Sequence, residues 1–218
     1  MPLVLKRYPI AYHATPKVAC TSIKLALYEL EYGKQFESRQ DENGTLLHVH
    51  TWQGSPRFTP VCNPETYYKF AVVRDPIERF LSAFANRVVQ YRELDGKHLN
   101  ALQGELARLK PNPSLTEFIS QLDLYRAASP PIRHHTESQI FFLGKDLSYY
   151  DRIFRFTELD QIPSALRDAV GAHISLPHEQ RGNGPKISRD DLSKSETQQI
   201  SKFYANDYLL LTNFFPAD

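Results

Sequence analysis

Cysteine is scarce in this chain of 218 residues: Cys20 and Cys62 are the only two, too few for a disulfide scaffold. No apolar run approaches the roughly 18 residues of a membrane-spanning helix. The start, Met1-Pro2-Leu3-Val4-Leu5-Lys6-Arg7, lacks the apolar core of a secretory signal. As given, the sequence reads as a soluble cytoplasmic protein, the alternative being a Golgi-lumenal domain cut from a longer membrane-anchored parent. A basic excess is also missing. The 26 Lys and Arg against 25 Asp and Glu leave a net charge of +1, which excludes a general nucleic-acid binder. There is no Gly-x-x-x-x-Gly-Lys-Ser/Thr to wrap a triphosphate and no Gly-x-Gly-x-x-Gly for a dinucleotide. A helical His-Glu-x-x-His is absent as well, so the sequence predicts no metal.

What is present is an ordinary globular composition, 41% hydrophobic, long enough for one domain over residues 1–218. Strands are predicted at Tyr8–Tyr12, Leu46–Thr51, Tyr67–Val73 and Ile153–Phe156. The clearest is Tyr67–Val73, aromatic and β-branched. A helix is predicted over Thr21–Glu31, where Ile23, Ala26, Leu27 and Leu30 form one stripe and Gly33 stops it. Another follows Asp75 (N-cap), Pro76 (N1) and Glu78 (N3, capping box), with Ile77, Phe80, Leu81, Phe84 and Val88 inward. Ser114 with Glu117 and Ser193 with Glu196 open two more helices, and Ile162–Val170 ends at Gly171. Pro130-Pro131 reads as a stop, and Gly54–Pro64 as turn-rich. Strands alternating with helices imply an α/β fold with a short central parallel sheet flanked by helices.

Two segments carry the chemistry. In His13-Ala14-Thr15-Pro16-Lys17-Val18-Ala19-Cys20-Thr21-Ser22, a strand turns through small and hydroxyl residues into a helix. In Val72-Val73-Arg74-Asp75-Pro76 to Ser82, a buried strand breaks into another. Each sets a cation and a hydroxyl beside the free N–H groups of a helix start, which is an anion site. Arg74 suits bidentate phosphate binding, and Ser82 falls about two turns on, on the polar side with Asp75 and Arg79. The plainer alternatives are a surface cap and ion pair for Arg-Asp-Pro, an ordinary exposed Lys17, and Thr21 or Ser22 as a helix cap.

These two loops resemble the donor-binding motifs of the carbohydrate sulfotransferases grouped as sulfotransferase family 2. Weaker echoes follow in His135-Thr136-Glu137-Ser138-Gln139, in Arg155-Phe156-Thr157-Glu158-Leu159 and in Tyr204 to Leu210. The resemblance implies a P-loop-NTPase-like sulfotransferase architecture and 3′-phosphoadenosine 5′-phosphosulfate (PAPS) as donor, with no metal. It assigns Lys17, Val18, Ala19, Cys20, Thr21 and Ser22 to the 5′-phosphosulfate, and Arg74 with Ser82 to the 3′-phosphate. The basic loop Arg181-Gly182-Asn183-Gly184-Pro185-Lys186 resembles one that closes over the donor, through Arg181 or Lys186. The implied partner is an acceptor with a free hydroxyl, a glycan or glycolipid.

Sulfuryl transfer needs a base for the acceptor hydroxyl, and histidine titrates in the right range. His48-Val49-His50, placed on a strand, would direct both rings to one face. By resemblance to a His-x-His stretch in the uronyl 2-O-sulfotransferases, His50 is the expected base and His48 its assistant. Polar histidines on an exposed strand are the plainer reading, and His134 and His135 are rivals. Glu29 and Glu31 read as surface charges. Other classes remain open: a nucleotide- or glycan-binding module without turnover, or a nucleotide kinase.

Overall fold

The computed structural model describes residues 2–44, 46–52, 57–99, 102–177 and 184–215. Its strands are β1 (Leu3–Val4), β2 (Ile10–His13), β3 (Arg39–Gln40), β4 (Leu46–Leu47), β5 (Tyr68–Val73) and β6 (Arg152–Arg155). Its helices are α1 (Cys20–Tyr32), α2 (Pro76–Ala83), α3 (Gly96–Leu99), α4 (Leu115–Ser120) and α5 (Leu122–Ala128). They continue with α6 (Pro130–Thr136), α7 (Gln139–Leu143), α8 (Ile162–Val170), α9 (Lys194–Phe203) and α10 (Ala205–Leu210). The chain divides into two compact units, residues 1–73 with 139–181 and residues 74–138 with 182–218.

The first unit is an α/β layer. Its sheet runs β1-β2-β5-β6, with β1 antiparallel to β2 and the other pairs parallel. His13 lies opposite Ala71, and Val73 opposite Arg155, so β2, β5 and β6 end along one edge. From Lys69 to Val73, β5 is buried throughout, as a central parallel strand must be. Phe70, Val72 and Phe154 of the sheet pack with Ile23 and Leu27 of α1 and Ile162 and Leu166 of α8. The predicted stripe of α1 therefore faces the sheet, and Gly33 (φ 67°) ends the helix, its N–H donating to Glu29 O at 2.7 Å. That left-handed turn is one glycine enters at little steric cost.

Two expectations fail in this unit. The strand predicted over Leu46–Thr51 is only Leu46–Leu47, paired with Arg39–Gln40. The chain then tightens into a 3₁₀ turn over Val49–Thr51 that buries Val49, the one apolar side chain of the turn. Glu31 is not a surface charge. It is buried at the end of α1, where its carboxylate accepts the N–H groups of Lys6 and Arg7 at 3.1 Å. Those donors belong to the β1–β2 connection and have no ladder partner there, so the carboxylate satisfies them.

The second unit is helical. Asp75 caps α2, its Oδ1 accepting the Glu78 N–H at 3.0 Å, with Pro76 in the first turn. The Glu78 carboxylate lies 3.5 Å from Arg74 Nη2. Beyond Ala83 the helix widens into a π-helical segment, Phe84–Gln90. Ile77, Phe80, Leu81, Phe84 and Val88 all reach the core with Phe118, Tyr125 and Tyr204. Capping boxes form at Ser114–Glu117 and Ser193–Glu196. The preceding helix α5 ends at Ala128, ahead of Pro130-Pro131 as predicted, and Pro130 also starts α6, with Ser129 as cap, since the first helical position needs no N–H. Arg79 departs from its predicted polar face. It is fully buried, donates to the carbonyls of His135 and Glu137, and stacks over the Tyr204 ring at 5.4 Å. The two carbonyls pair its terminal nitrogens without a counter-charge, while its Nε is buried with no hydrogen-bond partner among the described residues.

Candidate functional site

The first predicted loop leaves the carboxyl end of β2, on the edge where β5 and β6 also end. Thr15, Pro16 and Val18 are buried in it. Lys17 (φ 69°) and Ala19 (φ 63°) both take left-handed conformations, at a cost of roughly 1–2 kcal/mol each for a residue with a Cβ. Strain of this kind persists where the surroundings fix the backbone, and it clusters at ligand sites. Ala19 occupies the N-cap position of α1, and no side chain caps the helix. Thr21 and Ser22 are thus not caps: the left-handed Ala19 starts the helix early and moves both hydroxyls into its first turn. The helix start keeps its positive end toward the loop.

The electrostatics of Cys20 report on the same place. Burial pushes its thiol up, and the ammonium groups of Lys24 and Lys17 and the N–H groups of Lys17 and Cys20 pull it down. Burial outweighs them and the thiol stays raised, but the two ammonium groups and the N–H groups are ones that an anion at the loop would also meet. The Thr15 hydroxyl is buried and has no hydrogen-bond partner among the described residues. Lys24, one turn into α1, is buried, and burial lowers its ammonium. Sequence reading passed over Lys24. Its signal was a cation one turn from Cys20 on a helix whose neighbouring positions, Ile23 and Leu27, are apolar.

The histidines come to this loop by a route the sequence did not give. In the 3₁₀ turn, not a strand, the His48 and His50 rings stack with centroids 5.0 Å apart, and His48 Nδ1 accepts the His50 N–H at 3.4 Å. His50 Nε2 lies 2.9 Å from Thr21 Oγ1. A candidate base therefore sits at the first turn of α1, beside the anion loop. His13, the last residue of β2, is 3% exposed and enclosed by Phe58, Tyr149 and Tyr150, with ring centroids 5.1–5.4 Å away. Burial lowers its imidazole to about 4, so it is neutral near pH 7.

The other predicted residues belong to the second unit. Arg74 is half-buried, and burial lowers its guanidinium while Glu78 and Asp75 favour its charge. Ser82 is half-buried on α2, and Lys186 is exposed. The N-cap carboxylate of Asp75 accepts from Arg189 Nη2 at 2.8 Å and from the Tyr208 hydroxyl at 3.3 Å. His134 and His135 lie in α6, with rings 5.1 Å apart. Arg181, Gly54 and their neighbours fall outside the described residues. Among the described residues no three His, Cys, Asp or Glu side chains gather as metal ligands, and no helix is long and apolar enough to cross a membrane.

A buried hydroxyl without a partner among the described residues, a helix start without a side-chain cap and two nearby lysines make this loop a candidate anion site. Comparison with known proteins gives the family. The model of the sulfotransferase family matches residues 2–212. Carbohydrate sulfotransferase 10 of Homo sapiens is 29% identical over 183 residues, which cover 79% of this chain and 48% of that protein. Its Mus musculus counterpart is 28% identical over the same shares. The Danio rerio counterpart is 36% identical over 93 residues, 40% of this chain and 25% of that protein. The chain thus spans about half the length of the first two. No solved structure matches.

Proposed function

We propose that this chain, which belongs to the sulfotransferase family, moves a sulfuryl group from PAPS to a hydroxyl of a carbohydrate acceptor. The observation that carries this reading is the 2.9 Å approach of His50 Nε2 to Thr21, which joins a proton acceptor to an anion loop. Bound donor supplies the sulfuryl group and a phosphate leaving group, and transfer is direct and in line. Lys17 neutralises the charge that develops on the leaving oxygen, and Val18, Ala19, Cys20, Thr21 and Ser22 hold the same end through backbone and hydroxyl donors. Lys24 adds a second cation behind the loop. His50 removes the acceptor proton, with His48 stacked on it to fix its ring. Arg74 and Ser82 are assigned the 3′-phosphate, and Lys186 a donor contact. The chain acts as one domain under this reading, which the family match over residues 2–212 supports.

A thermal-shift titration tests the class. Adenosine 3′,5′-bisphosphate should raise the melting point selectively over ATP and NAD, because a ligand that binds only the native state stabilises it. Equal shifts from ATP would favour a kinase. Stabilisation by the bisphosphate with no sulfate transfer to any sugar would favour a binding module.

A further inference from the structure

Helix α1 presents a second stripe besides its buried one. Thr21, Leu25, Tyr28 and Tyr32 recur at i, i+4, i+7 and i+11, so they share one face. All four keep some exposure, and Tyr32 is 48% exposed. The segment that carries the histidines runs beside this stripe. His50 meets Thr21 at its start, and two residues later Trp52 meets Tyr28 and Tyr32, with ring centroids 5.0 and 5.8 Å away. Tyr28 also lies against Tyr32 in a tilted pair with centroids 4.6 Å apart, and it meets Phe36 edge-on at 5.0 Å. At about 1.5 Å of rise per residue, the aromatic group begins about 10 Å from Thr21 and extends to about 16 Å.

We propose that Tyr28, Tyr32 and Trp52 form an acceptor subsite that stacks a sugar ring of an oligosaccharide at some distance from the one that reacts. The inference rests on the sulfotransferase reading above, which supplies the carbohydrate class. The row itself supplies the rest. It begins at the candidate base, it continues along the same helix face, and its far ring is half open to solvent. Aromatic faces pack against apolar faces with a large area and little conformational freedom to lose, and a tyrosine adds a polar edge. Edge-to-face contacts of Trp52 with Tyr28 and Tyr32, and of Tyr28 with Phe36, hold Trp52 and Tyr28 in place, which pre-organises the surface. A monosaccharide held at His50 would not reach it.

Trp52 is the single tryptophan of the chain, so its fluorescence reports on this surface directly. With adenosine 3′,5′-bisphosphate present, the protein is titrated with neutral and acidic tetrasaccharides and with the methyl glycosides of their sugars. The tetrasaccharides should change Trp52 emission saturably, and the methyl glycosides should not. Tyr32→Ala should weaken tetrasaccharide binding about tenfold, and Tyr32→Phe should restore most of it. Bisphosphate stabilisation should be unchanged in both variants. No emission change with any tetrasaccharide, or equal affinity in Tyr32→Ala, overturns the subsite while leaving the sulfotransferase reading intact. Loss of bisphosphate binding in Tyr32→Ala would make Tyr32 a structural support and also overturn it. Failure of the unaltered protein to bind the bisphosphate would instead sink the sulfotransferase reading.

Discussion

Lys17 and His50 carry separable parts of the proposed chemistry, and their variants should fail in different ways. Lys17→Ala is expected to lower kcat by about 100-fold to 1,000-fold, the scale seen when one donor to a developing anion is lost. Its bisphosphate affinity should fall far less, because the lysine acts mainly on charge that appears in the transition state. Equal losses in kcat and in binding would count against that role. His50→Ala should lose about 100-fold or more in transfer with bisphosphate binding unchanged. His48→Ala, which removes only the stacked neighbour, should lose less. Steady-state kinetics beside a bisphosphate titration separate the three. At this scale the sequence was partly legible. Lys17 and Thr21 were read from the strand–turn–helix pattern they sit in, although a hydroxyl at a helix start also has a structural use as a cap. Lys24 and Glu31 did not, because burial of a charge depends on partners distant in the chain, such as Lys6 and Arg7.

Among the elements, β2 carries a pH dependence. His13 at its end is held at about 4 by burial, against an ordinary 6.5. The unfolded chain therefore takes up a proton at a pH where the native chain does not. The stabilisation is complete above about pH 6.5 and is lost as pH falls toward about 4, by roughly 3 kcal/mol in all. Urea unfolding at pH 7 and pH 5 should show the protein weaker at pH 5, and His13→Phe should flatten that difference. An unchanged slope in the variant would assign the effect to other groups. Helix ends were legible because caps are local chemistry: Asp75, Ser114, Ser193, Gly33 and Gly171 all act within a turn of themselves. The 46–51 segment was misread for the opposite reason. The alternation of Leu47, His48, Val49 and His50 satisfies a strand pattern, but only Leu46 and Leu47 find a ladder partner, and the need to bury Val49 decides the rest.

For the whole molecule, the family match and the two assigned phosphate ends lead to one expectation. Adenosine 3′,5′-bisphosphate should slow amide exchange both in residues 14–22 and in residues 74–82. Protection of one segment alone would remove the other from the donor site. The order of the α/β elements was legible from alternating patterns, but the split into two units was not, because no linker composition marks it. The chain leaves the first unit after Val73 and returns at Gln139, and this detour has a consequence during synthesis. When β5 emerges from the ribosome it can pair with β2, but β6, its other neighbour, is still about 80 residues away. At about 5–20 residues per second that leaves one side of a buried strand open for roughly 4–16 s. Nascent chains stalled with Tyr68–Val73 outside the ribosome and Arg152–Arg155 still inside it should therefore be the ones that chaperones bind most strongly, and release should coincide with the appearance of Arg152–Arg155.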